Sequence, residues 1–346
     1  MKLYSFQGNP KHLGMEYGKM LTEQVLKNLS IFSERYKSLS RTNADFIVWV
    51  KVQEEIIKKN WPWLIEEMRG VAKGAGVSYN DILLLNLRAW QYNYYGAPPN
   101  STCSSLAITL ADGTMACAGT LDDTAKFYCG PVRFIPEKGY RFITFPITGT
   151  SWCTRALNNA GLAVGASSQI LPGLRRLPNT INQDLAIRII MQTCATVKEV
   201  RAFCRQCPFT MNLVSVDAQG TVFCSHQTAA GFFEIVSPES FALTNHIVND
   251  DFVYRLSTLG VTEFPISATT RQRRGNLLLF IQQHKREVKA EAVRNFIAMR
   301  DDSAPGSINN KGTIVLTYAN PQGEPGIFWI AQPQVTDNEG WAKFSI

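Results

Sequence analysis

The sequence predicts an α+β fold with antiparallel sheets, and three observations carry that expectation. The first hundred of its 346 residues repeat apolar side chains at helical spacing. From Cys103 onward, short β-rich segments are joined by Gly, Asn-Asn or Ala-Gln-Gly turns. Helical patterning then returns in two later blocks. Runs of strands followed by runs of helices argue against a doubly wound parallel sheet, in which the two alternate.

Taken in order, "PKHLGMEYGKMLTEQVLKNLSIFSERYKSL" reads as an amphipathic helix. "NADFIVWVKVQEEIIKKNW" opens on Asn43 or Asp45 as its cap. "PWLIEEMRGVAKGAG" has Pro62 in its first turn and glycine at its end. "SYNDILLLNLRAWQYNYYG" continues the series, and "GAPPNST" breaks it. "CSSLAITLADGTMACAGTLD" then gives two strands around a tight Asp112-Gly113 turn. "FITFPITG", "TRALNNAGLAVGASSQ", "MNLVSVDAQGTVFCSHQT" and "FFEIVSPESFALTNHI" supply further strands. "INQDLAIRIIMQTCATVKEVRAFCRQC" and "TRQRRGNLLLFIQQHKREVKAEAVRNFIAMRDD" are helical, and "KGTIVLTYANPQGEPGIFWIAQ" is a hairpin. No internal repeat interrupts this order.

Hydrophobic residues make up 45% of the chain and charged residues 18%, which sets disorder aside. The net charge is +7. The basic clusters "LRRLP" and "RQRRG" are short and lack interleaved aromatics, so no nucleic acid partner is expected. The N-terminus lacks a signal peptide's apolar core, and no apolar run approaches a membrane span. A cytoplasmic protein with no membrane partner is therefore expected. Its eight cysteines read as thiols rather than disulfides.

A cysteine that leads a strand has one well-defined chemical use. Cutting the peptide bond before Cys103 places a free α-amine beside its own thiol. That amine titrates near about 7.7–8.0, so it can accept the thiol proton near neutral pH. The cut itself can be autocatalytic, with the thiol attacking the Thr102 carbonyl. Asp122 lies nineteen positions later, where a two-strand hairpin returns beside its own start. A carboxylate there orients the new ammonium or the thiol. Gly161, Gly165 and Ala166 leave room for a substrate against backbone. Asn245, where "ALTNHI" ends a strand, offers an amide donor to an oxyanion.

These pieces resemble a known family. "CSSLAITLADGTMACAGTLDD", "NNAGLAV", "TNH", "TTRQRRGNLLL" and "DDSAPGSI" come in the order found in the N-terminal-nucleophile (Ntn) cysteine amidohydrolases and acyltransferases. That group includes isopenicillin N acyltransferase, with penicillin V acylase and bile salt hydrolase as more distant relatives. The resemblance implies an αββα four-layer sandwich. It implies a helical pro-segment over residues 1–102 and a catalytic unit over 103–346, cut between Thr102 and Cys103 and still associated afterwards. It implies Cys103 as nucleophile, Asp122 as orienting carboxylate and Asn245 as oxyanion donor. Ser168, Arg271 and Ser307 are the expected substrate-binding residues. The expected partner is a small-molecule amide or acyl thioester, and no metal or organic cofactor is expected. Three positions depart from the family's pattern. Thr102 stands where the acyltransferase has glycine, Ala118-Gly119-Thr120 lacks the acylases' arginine, and Asn309-Asn310 replace Cys-Arg, leaving Lys311 as a point charge.

Plainer readings stand beside these. Cys103 is also a small hydrophobe suited to a strand core. Asp123 competes with Asp122, and Asn245 suits an ordinary turn. Cys204, Cys207, Cys224 and His226 offer a zinc set. His226 and His246 offer bases for a papain-like mechanism. Trp90, Tyr92, Tyr94 and Tyr95 suit either packing or an acyl pocket. An uncleaved relative acting as a binding or scaffold protein is the alternative from another class.

Overall fold

Local capping fixes most helix starts. Asn9, Asn43 and Ser78 each accept a backbone N–H three residues on, and each precedes a helix. The computed structural model describes residues 1–89, 103–169, 180–228, 231–235, 240–258, 269–304, 306–335 and 339–346. Thr102 and the aromatics Trp90, Tyr92, Tyr94 and Tyr95 lie outside those residues.

The first described segment runs β1 (Tyr4–Gly8), α1 (Pro10–Met20), α2 (Thr22–Thr42), α3 (Ala44–Asn60), α4 (Pro62–Ala75) and α5 (Tyr79–Asn86). The long helix expected from Pro10 divides at Leu21, whose φ of −114° and ψ of 25° leave helical geometry. The Thr22 hydroxyl donates to the Gly18 and Lys19 carbonyls at 2.8 and 3.0 Å, competing with the helix for its own acceptors. Gly76 closes α4 in the left-handed conformation, at φ 69°. β1 was not anticipated. It has five residues and is defined by a partner far along the chain.

The chain continues through β2 (Ser104–Thr109), β3 (Met115–Asp122), β4 (Val132–Pro136), β5 (Phe142–Thr144), β6 (Arg155–Asn158) and β7 (Ala163–Ser167). Then come α6 (Gln183–Thr193), α7 (Val197–Gln206), β8 (Met211–Val216), β9 (Val222–Thr228), β10 (Gly231–Ile235) and β11 (Phe241–Leu243). α8 (Asp250–Thr258), α9 (Thr269–His284), α10 (Ala290–Ala298), β12 (Thr313–Ala319), β13 (Ile327–Ala331) and β14 (Ala342–Ser345) complete it.

These strands form two sheets. One runs β1-β4-β5-β6-β7-β8-β9-β10 and the other β11-β2-β3-β12-β13-β14. Among the described residues every named strand pair is antiparallel except β1 with β4. The sheets face each other across a core that includes Ala107, Cys117 and Leu121 from one and Ile143, Ala163 and Val214 from the other. Alternation sends Leu106 and Ile108 to the opposite face, where α9 and α10 cover them with Leu277, Phe280 and Ile297. Likewise Phe134, Phe142 and Leu213 face helices, meeting Leu13 and Tyr17 of α1 and Ile189 of α6. The layers are therefore αββα, the sandwich expected. Among the described residues, no helix is long and apolar enough to cross a membrane.

The first segment is built into this core. Arg188 of α6 and Glu67 of α4 form a fully buried ion pair at 2.7 Å. The Asn86 carbonyl accepts from Trp152 Nε1 at 2.8 Å, and Asn28 Nδ2 donates to the Thr148 carbonyl at 2.9 Å. Helices α1 and α4 cross so closely that a Cβ on Gly14 would lie 2.1 Å from the Glu67 carbonyl oxygen.

Candidate active site

Cys103 sits immediately before β2, and the antiparallel hairpin of β2 with β3 sets Ser104 opposite Thr120. That register brings Asp122 back to Cys103. The Asp122 N–H donates to Cys103 Sγ at 3.5 Å, and the thiol donates to the Asp122 carbonyl at 3.8 Å. Both residues line one cavity of about 120 Å³, together with Ser168, Asp184, Tyr128 and Met211.

Asp122 is buried and held by neutral donors. Thr313 Oγ1 donates to its Oδ1 at 2.8 Å, and Asn310 Nδ2 to its Oδ2 at 2.8 Å. Asp123, the competing candidate, is exposed and accepts from Tyr128 Oη at 2.6 Å. In the intact chain, burial raises the Cys103 thiol to about 11. The charge of Asp122 adds to that rise, while Arg155 and Arg273 oppose it.

Arg273 of α9 joins the site's parts. Its side chain is buried, and Nη1 donates to the Cys103 carbonyl at 2.7 Å and to Ser104 Oγ at 2.8 Å. Its Nη2 donates to Asn245 Oδ1 at 3.0 Å. Asn245 in turn donates from Nδ2 to the Ser168 carbonyl at 2.8 Å. Cys103, Asp122, Asn245 and Ser168 are thus brought together. Arg271 is exposed at the start of α9, two residues before the arginine that reaches Cys103. Ser307 is not among the residues that line the thiol's cavity. It accepts from the Asp301 N–H at 3.0 Å and donates to the Asn309 carbonyl at 2.6 Å, closing its own loop. With Arg273, Asn310 and Lys311 it lines a second cavity of about 180 Å³.

The sequence reading missed Arg273, Asn310 and Thr313. "RQRR" holds several arginines, and their spacing alone does not say which one turns inward. In the sequence Asn310 shows only as the residue that stands where the family has an arginine.

The histidines have other work. His226 Nε2 accepts from the Val248 N–H at 3.0 Å, which leaves Nδ1–H to donate to Asn212 Oδ1. Asn212 Nδ2 donates to the Thr244 and His246 carbonyls, bracing the turn that carries Asn245. His246 Nδ1 lies 3.1 Å from both Thr244 Oγ1 and Thr270 Oγ1. Burial depresses His226 to about 3 and His246 to about 4, so both are neutral rings within a polar network. The zinc set does not assemble. Cys204 and Cys207 lie on the helix side of the larger sheet, while Cys224 faces the space between the sheets. Among the described residues, no group of three or more His, Cys, Asp or Glu is placed to hold a metal.

No family model matches the chain. A curated relative, the acyl-coenzyme A:6-aminopenicillanic-acid-acyltransferase 40 kDa form of Emericella nidulans, is 24% identical over 199 residues. The match covers 54% of this chain and 52% of that protein, so the chain spans about half the length of the relative it matches. Among solved structures, a variant of conjugated bile acid hydrolase from Clostridium perfringens is 12% identical, with a TM-score of 0.46 over 70% of this chain and 92% of that one. Penicillin V acylase from Agrobacterium tumefaciens is 13% identical, with a TM-score of 0.45 over 70% and 86%. The chain is similar to isopenicillin N acyltransferase, as its sequence led us to expect.

Proposed function

We propose that this protein is a cysteine amidohydrolase or acyltransferase that activates itself by cutting its own chain between Thr102 and Cys103. One observation carries the reading. Cys103 leads β2 beside a buried, oriented Asp122, in a shared cavity, with Arg273 linking its carbonyl to Asn245. The name of the Emericella relative, an acyl-coenzyme A-dependent acyltransferase, supports the reaction class.

The steps balance without a cofactor. In the intact chain the thiol attacks the Thr102 carbonyl. A C–S bond replaces the C–N bond, and water then releases the leader as a carboxylate. The freed Cys103 amine next takes the thiol proton. The thiolate attacks the acyl carbon of an amide or thioester, and the carbonyl oxygen becomes an oxyanion. Asn245 spends one N–H on Ser168, so a second remains for that oxygen. Collapse breaks the donor's C–N or C–S bond, and the ammonium proton leaves with the departing group. Water or an amine then attacks the thioester and restores the thiol. Residues 1–102 and 103–346 are the two resulting pieces, held together by the interior that they share.

Intact-mass spectrometry tests this. Two fragments, the larger beginning at Cys103, are expected from the wild type, and Cys103→Ala is expected to remain one chain. A Cys103→Ala protein that still splits there would defeat the mechanism. A second reading, an uncleaved binding protein, has one observation in its favour. Cys103 is 4% exposed, and its thiol is held at about 11. A wild-type mass that stays whole, with Cys103 unlabelled by electrophiles, favours that reading instead.

A further inference from the structure

Arg155 carries a charge that the mechanism above leaves unused. It leaves β6 in the larger sheet and crosses to β2 in the smaller one. Its side chain is buried, and Nη2 donates to the Ser104 carbonyl at 2.8 Å, Ser105 Oγ at 3.2 Å and the Ala166 carbonyl at 3.2 Å. Two glycines make room for it. A Cβ on Gly119 would lie 2.8 Å from Arg155 Nη1, and a Cβ on Gly165 would lie 3.1 Å from it. β3 and β7 are therefore notched around one guanidinium.

Burying a guanidinium is costly unless a negative charge compensates it. The partners named above are all neutral, and among the described residues Nε has none. The titratable groups facing Arg155 are Cys103, Cys117 and Asp122, and Arg273 also faces Cys103. Asp122 is one such negative charge, held in place by Thr313 and Asn310. Cys117 lies in the apolar space between the sheets. The group whose charge changes in the proposed reaction is the Cys103 sulfur, which becomes negative when it reacts.

We infer that Arg155 is a positioning residue for the nucleophile: from the opposite sheet it aligns the start of β2 and supplies the positive charge against which the Cys103 thiolate forms. The inference rests on Cys103 being the nucleophile proposed above. Its pull already operates in the intact chain, where Arg155 opposes the rise that burial imposes on the thiol.

Alkylation of Cys103 by iodoacetamide, read by peptide mass spectrometry across a pH series, reports thiolate formation without any acyl substrate. Arg155→Met keeps most of the volume and loses the charge. It is expected to raise the alkylation midpoint by about one pH unit or more, roughly a tenfold loss of thiolate near neutrality. Arg155→Lys keeps a cation without the planar fork and is expected to fall between. Gly165→Ala leaves every charge in place but crowds Nη1, and it is also expected to raise the midpoint. Melting temperatures are followed in parallel, because a guanidinium that only ties strands lowers them and leaves the midpoint in place. Unchanged midpoints in Arg155→Met and Gly165→Ala overturn the assignment. If Arg155→Met does not fold, Arg155→Lys and Gly165→Ala decide it by the same criterion. Midpoints that shift in the variants of a chain that neither cuts itself nor accepts an acyl group refute the functional reading alone, and unchanged midpoints in a chain that does cut itself refute the arginine's role alone, so the two failures are separable.

Discussion

Asp122 meets Cys103 through a hairpin, but its carboxylate is aimed by residues from the far end of the chain. Asn310 and Thr313 donate to it as neutral groups, so they orient the carboxylate without cancelling its charge. Asn310→Ala removes one of these donors. We expect a stability loss of about 1–2 kcal/mol in urea unfolding and slower chain cleavage in timed intact-mass measurements. A cleavage rate equal to the wild type's would argue against an orienting role for Asp122. The spacing from Cys103 to Asp122 was legible because both lie on one hairpin. The link from Asp122 to Asn310 spans 188 positions, and no local pattern encodes it.

His226 carries a pH prediction at the same scale. Its value falls from 6.5 to about 3 on burial, so the unfolded chain binds a proton that the folded ring refuses. Its contribution to stability is complete above pH 6.5 and is lost as pH falls from there toward 3. His226→Gln is expected to flatten the decline in urea midpoint between those limits. An equally steep decline in the variant would assign the acid sensitivity to other groups.

At the scale of elements, glycine has two opposite meanings in this chain. On α1 and α4, Gly14, Gly18, Gly70 and Gly74 each face backbone of the partner helix, at 2.1 to 2.3 Å from where a Cβ would sit. Gly14→Ala would force the helices apart, and we expect a loss of about 1–3 kcal/mol or more in thermal unfolding. Gly275 lies inside α9, and among the described residues nothing comes within 4 Å of its Cβ position. Gly275→Ala is expected to stabilise by about 0.4–1 kcal/mol, because it lowers only the unfolded chain's freedom. If both substitutions shift melting in the same direction, this account of the α1–α4 crossing fails. Sequence periodicity found these helices but gave no sign of the crossing, since a glycine in a helix looks alike whether it faces solvent or another backbone. Periodicity also joined α9 to α10, which the structure separates at Lys285, where φ is 46°.

At the scale of the molecule, helices α1 to α5 and the sheets share one interior. Glu67 and Arg188 are both almost fully buried, and the Arg188 guanidinium also lies over the Trp63, Phe134 and Phe142 rings. Removing one partner strands a buried charge. Glu67→Ala is therefore expected to cost about 3–5 kcal/mol in denaturant unfolding. If the chain is cut before Cys103, the two pieces are expected to co-elute in gel filtration until denatured. A Glu67→Ala protein as stable as the wild type would show that the ion pair does not join them.

The sequence by itself determined what short range controls: the α+β class, most element positions, the Asp112-Gly113 hairpin and the pairing of Cys103 with Asp122 across it. Each rests on periodicity, capping or turn chemistry acting within a few tens of residues. Only the tertiary structure decided which of several arginines turn inward, what aims the Asp122 carboxylate, and that Cys204 and Cys224 lie on opposite faces of one sheet. Those outcomes depend on which strands pair and which faces pack, and that choice is made by burial across the whole chain rather than by neighbours along it.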